Sequence, residues 1–328
     1  MIENVLEFCD VASNFRAPLE DIISAAKTRR NRANLRADAI QAFEILAPKA
    51  SPEILLSATK DFTRLDCDEQ SCRAGIHVVR SYFAHLIRDM HRSEYGYRTD
   101  YSRDFDAMGI VVVRDFVDET LNKQVISEIN KFPQAVAKSS SNIVAFSSDK
   151  IALNTVLTES RMQAIVFDCL GYARSEVHDL YARNTFVQKL KNVANDGDVQ
   201  KVLHSDTFFP CIKWWYFPEE VKLEDGPFAY AVGSQIFTRA WAKFLYDQSI
   251  DIATYKIDAA RTYGHAEGSL RIFEHELDNL GCIARPYVVP ANSLVVANVY
   301  GFHRRSEVLN IGYRNAVHGS IRVNTPFS

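Results

Sequence analysis

The chain has 328 residues, 47% of them hydrophobic and 24% charged, enough to bury a large core as one domain or one and a half. A net charge of −3 gives no reason to expect nucleic acid or an anionic membrane as partner, and no apolar run approaches the roughly 18 to 20 residues of a membrane span. The early acid in Met1-Ile2-Glu3-Asn4 and the lack of a basic n-region argue against a signal peptide. Six cysteines (Cys9, Cys67, Cys72, Cys169, Cys211, Cys282) without a C-x-x-C read as the reduced thiols of a cytoplasmic protein. Cys67 and Cys72 lack the second Cys/His pair that a tetrahedral zinc site needs.

Residues 1–100 read as a helical N-terminal region. The basic run Lys27, Arg29, Arg30, Arg32 and Arg36 lies in a helix-forming segment. It reads as a solvated face, or as a docking face for an acidic partner such as a carrier protein or a homodimer mate. Pro48 and Pro52 mark a break. The clearest helix spans about 69–92, where Ile76, Val79, Phe83, Leu86, Ile87 and Met90 make one stripe. His77 and His85 on it read as structural or surface residues. Near residue 100 the pattern changes. Residues 105–113 form a β-branched run, followed by a helix from about Asp118 to Phe132 with Asp118 as N-cap. Ser139–Asn142 and Asn195–Asp198 are polar loops. Short strands are expected at 181–190, 199–205, 211–217, 227–232, 285–289, 293–299 and 311–323, the pattern of a sandwich or barrel. A helical insertion over about 237–280 interrupts them, with Trp241, Phe244 and Leu245, then Leu270, Phe273 and Leu277, at helical spacing.

Within this pattern the stretch 203–209 (LHSDTFF) carries the chemistry. On an extended segment, His204 and Asp206 point to the same face. They supply two of the three ligands of a 2-His-1-carboxylate facial triad, which leaves open positions on Fe(II). His303, delivered by the apolar strand 293–300, is the third. His265, His275 and His318 are its rivals.

His204-x-Asp206, Gly226-Pro227, Gly233-Ser234 and His303 with Arg314 eleven residues later together resemble the phytanoyl-CoA dioxygenase branch of the Fe(II)/2-oxoglutarate oxygenases. The resemblance covers roughly 105–328. Gln235 departs from it, standing where the family's Gly-Ser element usually ends in His. It implies a mostly β double-stranded β-helix (jelly-roll, cupin-like) catalytic core over 101–328, with flanking helices. It also implies the cofactor Fe(II), the co-substrate 2-oxoglutarate and O2. The activity it implies is a dioxygenase that oxidises an unactivated C–H of a small organic molecule, as in secondary metabolism. Hydroxylation is the first expectation, with release of succinate and CO2. Asp206 argues against halogenation, since that variant lacks the carboxylate.

Arg314 would grip the distal carboxylate of 2-oxoglutarate, because a guanidinium binds a carboxylate bidentately and stays charged. Arg322 is its alternative, and Ser306 and Lys189 would assist. Lys213, Trp215, Tyr230 and Arg305 are candidate substrate contacts, and Arg304 a residue of the mouth or surface. Strand alternation puts Lys213 and Trp215 on one face and Trp214 on the other. A non-catalytic double-stranded β-helix module that binds a ligand or a protein is the other reading of the same chain.

Overall fold

The longest helix, Ile76–Tyr95, is buried nearly all round, so it must be enclosed rather than laid on a surface. The computed structural model describes residues 4–57, 67–131, 143–145, 151–158, 160–171, 185–191, 199–255, 269–307, 309, 313–321 and 327. In chain order the N-terminal helices are α1 (Ser13–Thr28), α2 (Arg32–Leu46), α3 (Pro52–Ser57), α4 (Glu69–Arg73) and α5 (Ile76–Tyr95). The Asn31 side chain accepts from the amides of Ala33 and Asn34 to start α2, and Asp68 accepts from Ser71 N to start α4. The helix expected over 69–92 is divided at Gly75, whose φ of +91° favours glycine and whose added Cβ would strike Cys9 Sγ.

Next come α6 (Asp100–Met108), β1 (Ile110–Val113), α7 (Glu119–Asn130), β2 (Ile143–Ala145), α8 (Ile151–Thr158) and α9 (Ser160–Leu170). The extended run expected from 105 is therefore helical up to Met108. Thr99 caps α6 through Ser102 N, and Gly109, at φ +78°, ends it before the β-branched residues begin. Asp118 caps α7 through Leu121 N, as its position before the helix predicts. The helices α8 and α9 were not expected.

The remaining elements are β3 (Thr185–Lys191), a 3-10 turn at Val199–Lys201, β4 (His204–Ser205), β5 (Ile212–Phe217) and β6 (Phe228–Ala231). They are followed by α10 (Arg239–Tyr255), β7 (Leu270–Arg271), α11 (Glu274–Asn279), β8 (Ala284–Pro286), β9 (Ser293–Asn298), β10 (His303–Arg305) and β11 (Tyr313–Ile321). One antiparallel sheet has the order β1-β9-β5-β11-β3-β2, the other β7-β4-β10-β6-β8. Among the described residues helix outweighs strand even over 101–328, where a mostly β core with flanking helices is expected.

The two sheets face each other. Trp215 of the first lies 4.5 Å, centroid to centroid, from Phe228 of the second. The outer face of the six-stranded sheet carries Trp214, Tyr216, Leu294, Val296 and Val317, packed under apolar residues of α7, α8 and α9. Each such side chain contributes roughly 1.5–3 kcal/mol by leaving water. The alternation expected at 213–215 holds: Trp214 is on this covered face, and Lys213 and Trp215 are on the inner one.

A second buried cluster joins Leu19, Phe43 and Phe83 of the N-terminal helices to Phe208, Phe209, Leu270, Tyr300 and Phe302. It also takes in Trp241 of α10, whose ring stacks on Tyr300 at 4.7 Å and 14°. The aromatic face of the insertion is thus packed into the core. Residues 256–268, including Tyr263, Gly264 and His265, lie outside the described residues. A charged network ties the helices together. Arg92 bonds Asp106 at 2.9 Å and donates to the carbonyls of Asp168 and Cys169 at 2.7 Å, and Arg88 also pairs with Asp106. Among the described residues no helix is long and apolar enough to cross a membrane.

Candidate metal centre and co-substrate site

The strand β10 lies between β4 and β6, and its register puts His303 directly opposite both His204 and Tyr230. Residues paired in this way project to one face. Asp206 leaves the end of β4 with its amide bonded to Val299 O at 2.9 Å. All three side chains are buried: His204 is 2% exposed, Asp206 6% and His303 3%.

The backbone orients both imidazoles. His204 Nδ1 donates to Val202 O at 2.8 Å, and His303 Nδ1 donates to Gly301 O at 2.9 Å. Each Nε2 is left as a lone pair, the arrangement that steers a histidine onto a metal. His204 Nε2 lies 3.8 Å from Asp206 Oδ1, and His303 Nε2 lies 3.7 Å from Oδ2. One donor atom from each of the three residues falls within 4.8 Å of the others. Two ligands about 2.1 Å from one ion sit about 3 to 4 Å apart, so the set fits a single metal ion.

The charges agree with that use. Burial, helped by His303 and then Arg271 and opposed by Asp206, drives the His204 imidazole well below its ordinary value. Burial, opposed by Asp206, lowers His303 to about 4. Both rings are neutral near pH 7, the form that binds metal. Burial alone would push the Asp206 carboxyl up. Lys213 and the two imidazoles override it and hold the carboxyl well below the usual carboxylate range. Lys213 Nζ stands 2.5 Å from Asp206 Oδ2.

Arg314 lies on the inner face of β11, 7% exposed. Its Nη1 donates to Gly226 O, and its buried Nε has no hydrogen-bond partner. Burial lowers its pKa to about 9, with the Arg305 guanidinium adding to the effect and Asp225 opposing it. A buried cation still charged at pH 7, beside a second guanidinium, could hold an anion. Arg305 pairs across to Phe228 on the His303 side of β10, and Ser306 N donates to Pro227 O at 2.8 Å. Arg305, Ser306 and Arg314 therefore meet around residues 226–228.

The other candidates separate. Trp215 and Phe228 wall the centre, Phe228 lying 5.5 Å from His303 between ring centroids. The Tyr230 hydroxyl donates to Asn298 O at 2.8 Å, so this residue builds the wall. Arg304 turns away and bonds Glu274 at 2.7 Å. Lys189 stands opposite Asn315 in the ladder, while Leu190 stands opposite Arg314. Arg322 and His265 lie outside the described residues. His275 is exposed on α11. His318 shares the inner face near Lys213 and Arg314. Burial, followed by those two cations, lowers it to about 3. It is not in the donor set.

Sequence reasoning missed Arg271. It is 2% exposed and pairs across from His204 in β7. Its signal was an arginine inside the apolar run Leu270-Arg271-Ile272, obscured by the helical reading of that segment.

No family model matches the chain, and no curated protein matches it. Among solved structures it is similar to the epimerase SnoN in complex with Fe3+, alpha ketoglutarate and nogalamycin RO. That match has 12% identity over 67% of this chain and 81% of that one, with TM-score 0.46. It is also similar to HygX from Streptomyces hygroscopicus with nickel and 2-oxoglutarate bound (13% identity, 69% and 87% covered, TM-score 0.42). A third is a prolyl-4-hydroxylase from Pseudomonas putida (12% identity, 68% and 96% covered, TM-score 0.36).

Proposed function

We propose that the chain is an Fe(II)- and 2-oxoglutarate-dependent oxygenase acting on a small organic molecule, with a jelly-roll core formed by the two facing sheets. The observation that carries this reading is the convergence of two neutral imidazole Nε2 atoms and one ionised carboxylate on one buried point. That donor set suits Fe(II) and leaves three coordination positions for other ligands. When bound, Fe(II) with O2 and 2-oxoglutarate supplies the oxidising power for an unactivated C–H, with succinate and CO2 as co-products.

The chain's own residues do the rest. His204, Asp206 and His303 hold the metal. Arg314 takes the distal carboxylate of 2-oxoglutarate through the guanidinium edge that bears the free Nε, and Ser306, whose amide bonds Pro227 O, adds a hydroxyl. The ladder sets Leu190, and not Lys189, opposite Arg314, so no co-substrate contact is given to Lys189. Trp215 and Phe228 exclude water beside His303, which strengthens every charge interaction in the site. Lys213 and Arg305, on the same inner faces, stand where a polar substrate would enter. Hydroxylation is the reaction assigned to this site.

The test is turnover. Protein reconstituted anaerobically with Fe(II), then given 2-oxoglutarate and O2, is expected to release succinate, and His303→Ala to release none above background. Succinate formed equally by both proteins would refute the proposal.

A further inference from the structure

The Lys213 ammonium lies 2.5 Å from Asp206 Oδ2, on a side chain only 28% exposed, and Asp206 is itself one of the three metal donors. The sheet makes room for this contact. The register partners of Lys213 are Ala297 on β9 and Ser320 on β11, both small, so the lysine stem passes between them toward the facing sheet. A buried carboxylate without a counter-charge is strongly disfavoured. Lys213 supplies that charge.

Building on the metal-centre reading above, we propose that Lys213 is an internal counter-cation: it holds the Asp206 carboxylate in place before the metal arrives, and it competes with the metal for that carboxylate. Two consequences follow from charge alone. The site is preformed without metal, because the pair fixes the Asp206 rotamer. The metal binds more weakly than a bare triad would allow, because a divalent ion arriving on Asp206 meets a fixed positive charge a few ångströms away. Most residues around a metal centre raise its affinity by orienting ligands. Lys213 does the opposite while still holding a ligand in place.

The experiment is calorimetric titration of Mn(II), a redox-stable probe, into metal-free protein, with thermal melts of the metal-free and Mn(II)-saturated states. Wild type, Lys213→Met, Lys213→Gln, Lys213→Arg and His204→Ala are compared. Lys213→Met and Lys213→Gln are expected to bind Mn(II) at least tenfold more tightly than wild type. Their metal-free forms should melt lower, with the gap closing on saturation. Lys213→Arg, which keeps the charge, should stay near wild type. If Lys213→Met fails to fold without metal, Lys213→Gln carries the comparison, because its amide can still bond to Asp206. Unchanged or weaker Mn(II) binding in the neutral variants, with binding lost in His204→Ala, overturns the role of Lys213 alone. Equal binding by His204→Ala and wild type overturns the metal centre and Lys213 together.

Discussion

Arg314 is where the co-substrate assignment can be tested most sharply. The guanidinium is 7% exposed, donates to Gly226 O, and leaves a buried Nε with no hydrogen-bond partner. Burial has already lowered its pKa to about 9, and Arg305 adds to that lowering. The free protein therefore holds a partly desolvated cation whose charge is not fully satisfied. A carboxylate docking there gains a charge-assisted bond whose cost in desolving the arginine has already been met. Such bonds contribute about 1.5–3 kcal/mol. At 1.4 kcal/mol per decade this corresponds to roughly 10- to 150-fold in affinity. Arg314→Met is expected to weaken 2-oxoglutarate binding to Mn(II)-loaded protein by that factor, measured by calorimetry. Arg314→Lys, which keeps a point charge and loses the fork, should fall between. Because removing a desolvated cation relieves strain in the free protein, the melting temperature of Arg314→Met should not drop by more than a degree or two. A 2-oxoglutarate affinity within threefold of wild type, in a folded variant, would refute the assignment.

Three further outcomes follow from the packing. A chain beginning at residue 100 loses the helices that cover Phe208, Phe209, Tyr300 and Phe302, and it also loses Arg88 and Arg92 from the Asp106 network. It is expected to lack a cooperative melt, whereas a sharp transition near the wild-type temperature would show that the helices are dispensable. Gly319 stands opposite Trp214 in the ladder, and an added Cβ would come 2.5 Å from the Trp214 Cζ2. Gly319→Val should cost about 1–3 kcal/mol in denaturant melts, and no loss would mean the indole can move aside. His85, buried against Phe237 and Tyr300, has its pKa lowered to about 4, chiefly by burial, from an ordinary 6.5. It is neutral in both states above pH 6.5, where it contributes no pH dependence. Between 6.5 and 4 the unfolded chain binds the extra proton, so stability falls on acidification, by up to about 3 kcal/mol at the low end. His85→Phe should flatten that acid limb, and an unchanged slope would assign it to other groups.

The parts of the site that follow local rules were legible in the chain. His204 and Asp206 could be paired because alternation on an extended segment puts both on one face, and Asp118 could be placed as a cap from the helix it precedes. The inner position of Lys213 and the outer position of Trp214 followed from the same alternation. Other features arise only when distant segments meet. The Lys213–Asp206 contact crosses between sheets, and Arg271 comes beside His204 through the register of a two-residue strand. The Arg92–Asp168 contact joins residues 76 apart in sequence. Residues 105–108 show a different limit. Phe105 and the strand that follows share a β-like composition, but the Thr99 cap and the left-handed Gly109 make that stretch the last turn of a helix. Tyr230 shows a third. Its place on a strand beside the centre was readable, but the hydroxyl's commitment to Asn298 O was not.

The measurement closest to the central claim is the iron content of anaerobically reconstituted protein, titrated with Fe(II) and compared with His204→Ala, Asp206→Ala and His303→Ala. The convergence of the two Nε2 atoms and the Asp206 carboxylate predicts one Fe(II) per wild-type chain and loss of that ion in all three variants. Wild-type iron affinity in any one of them, with its fold intact, would contradict it.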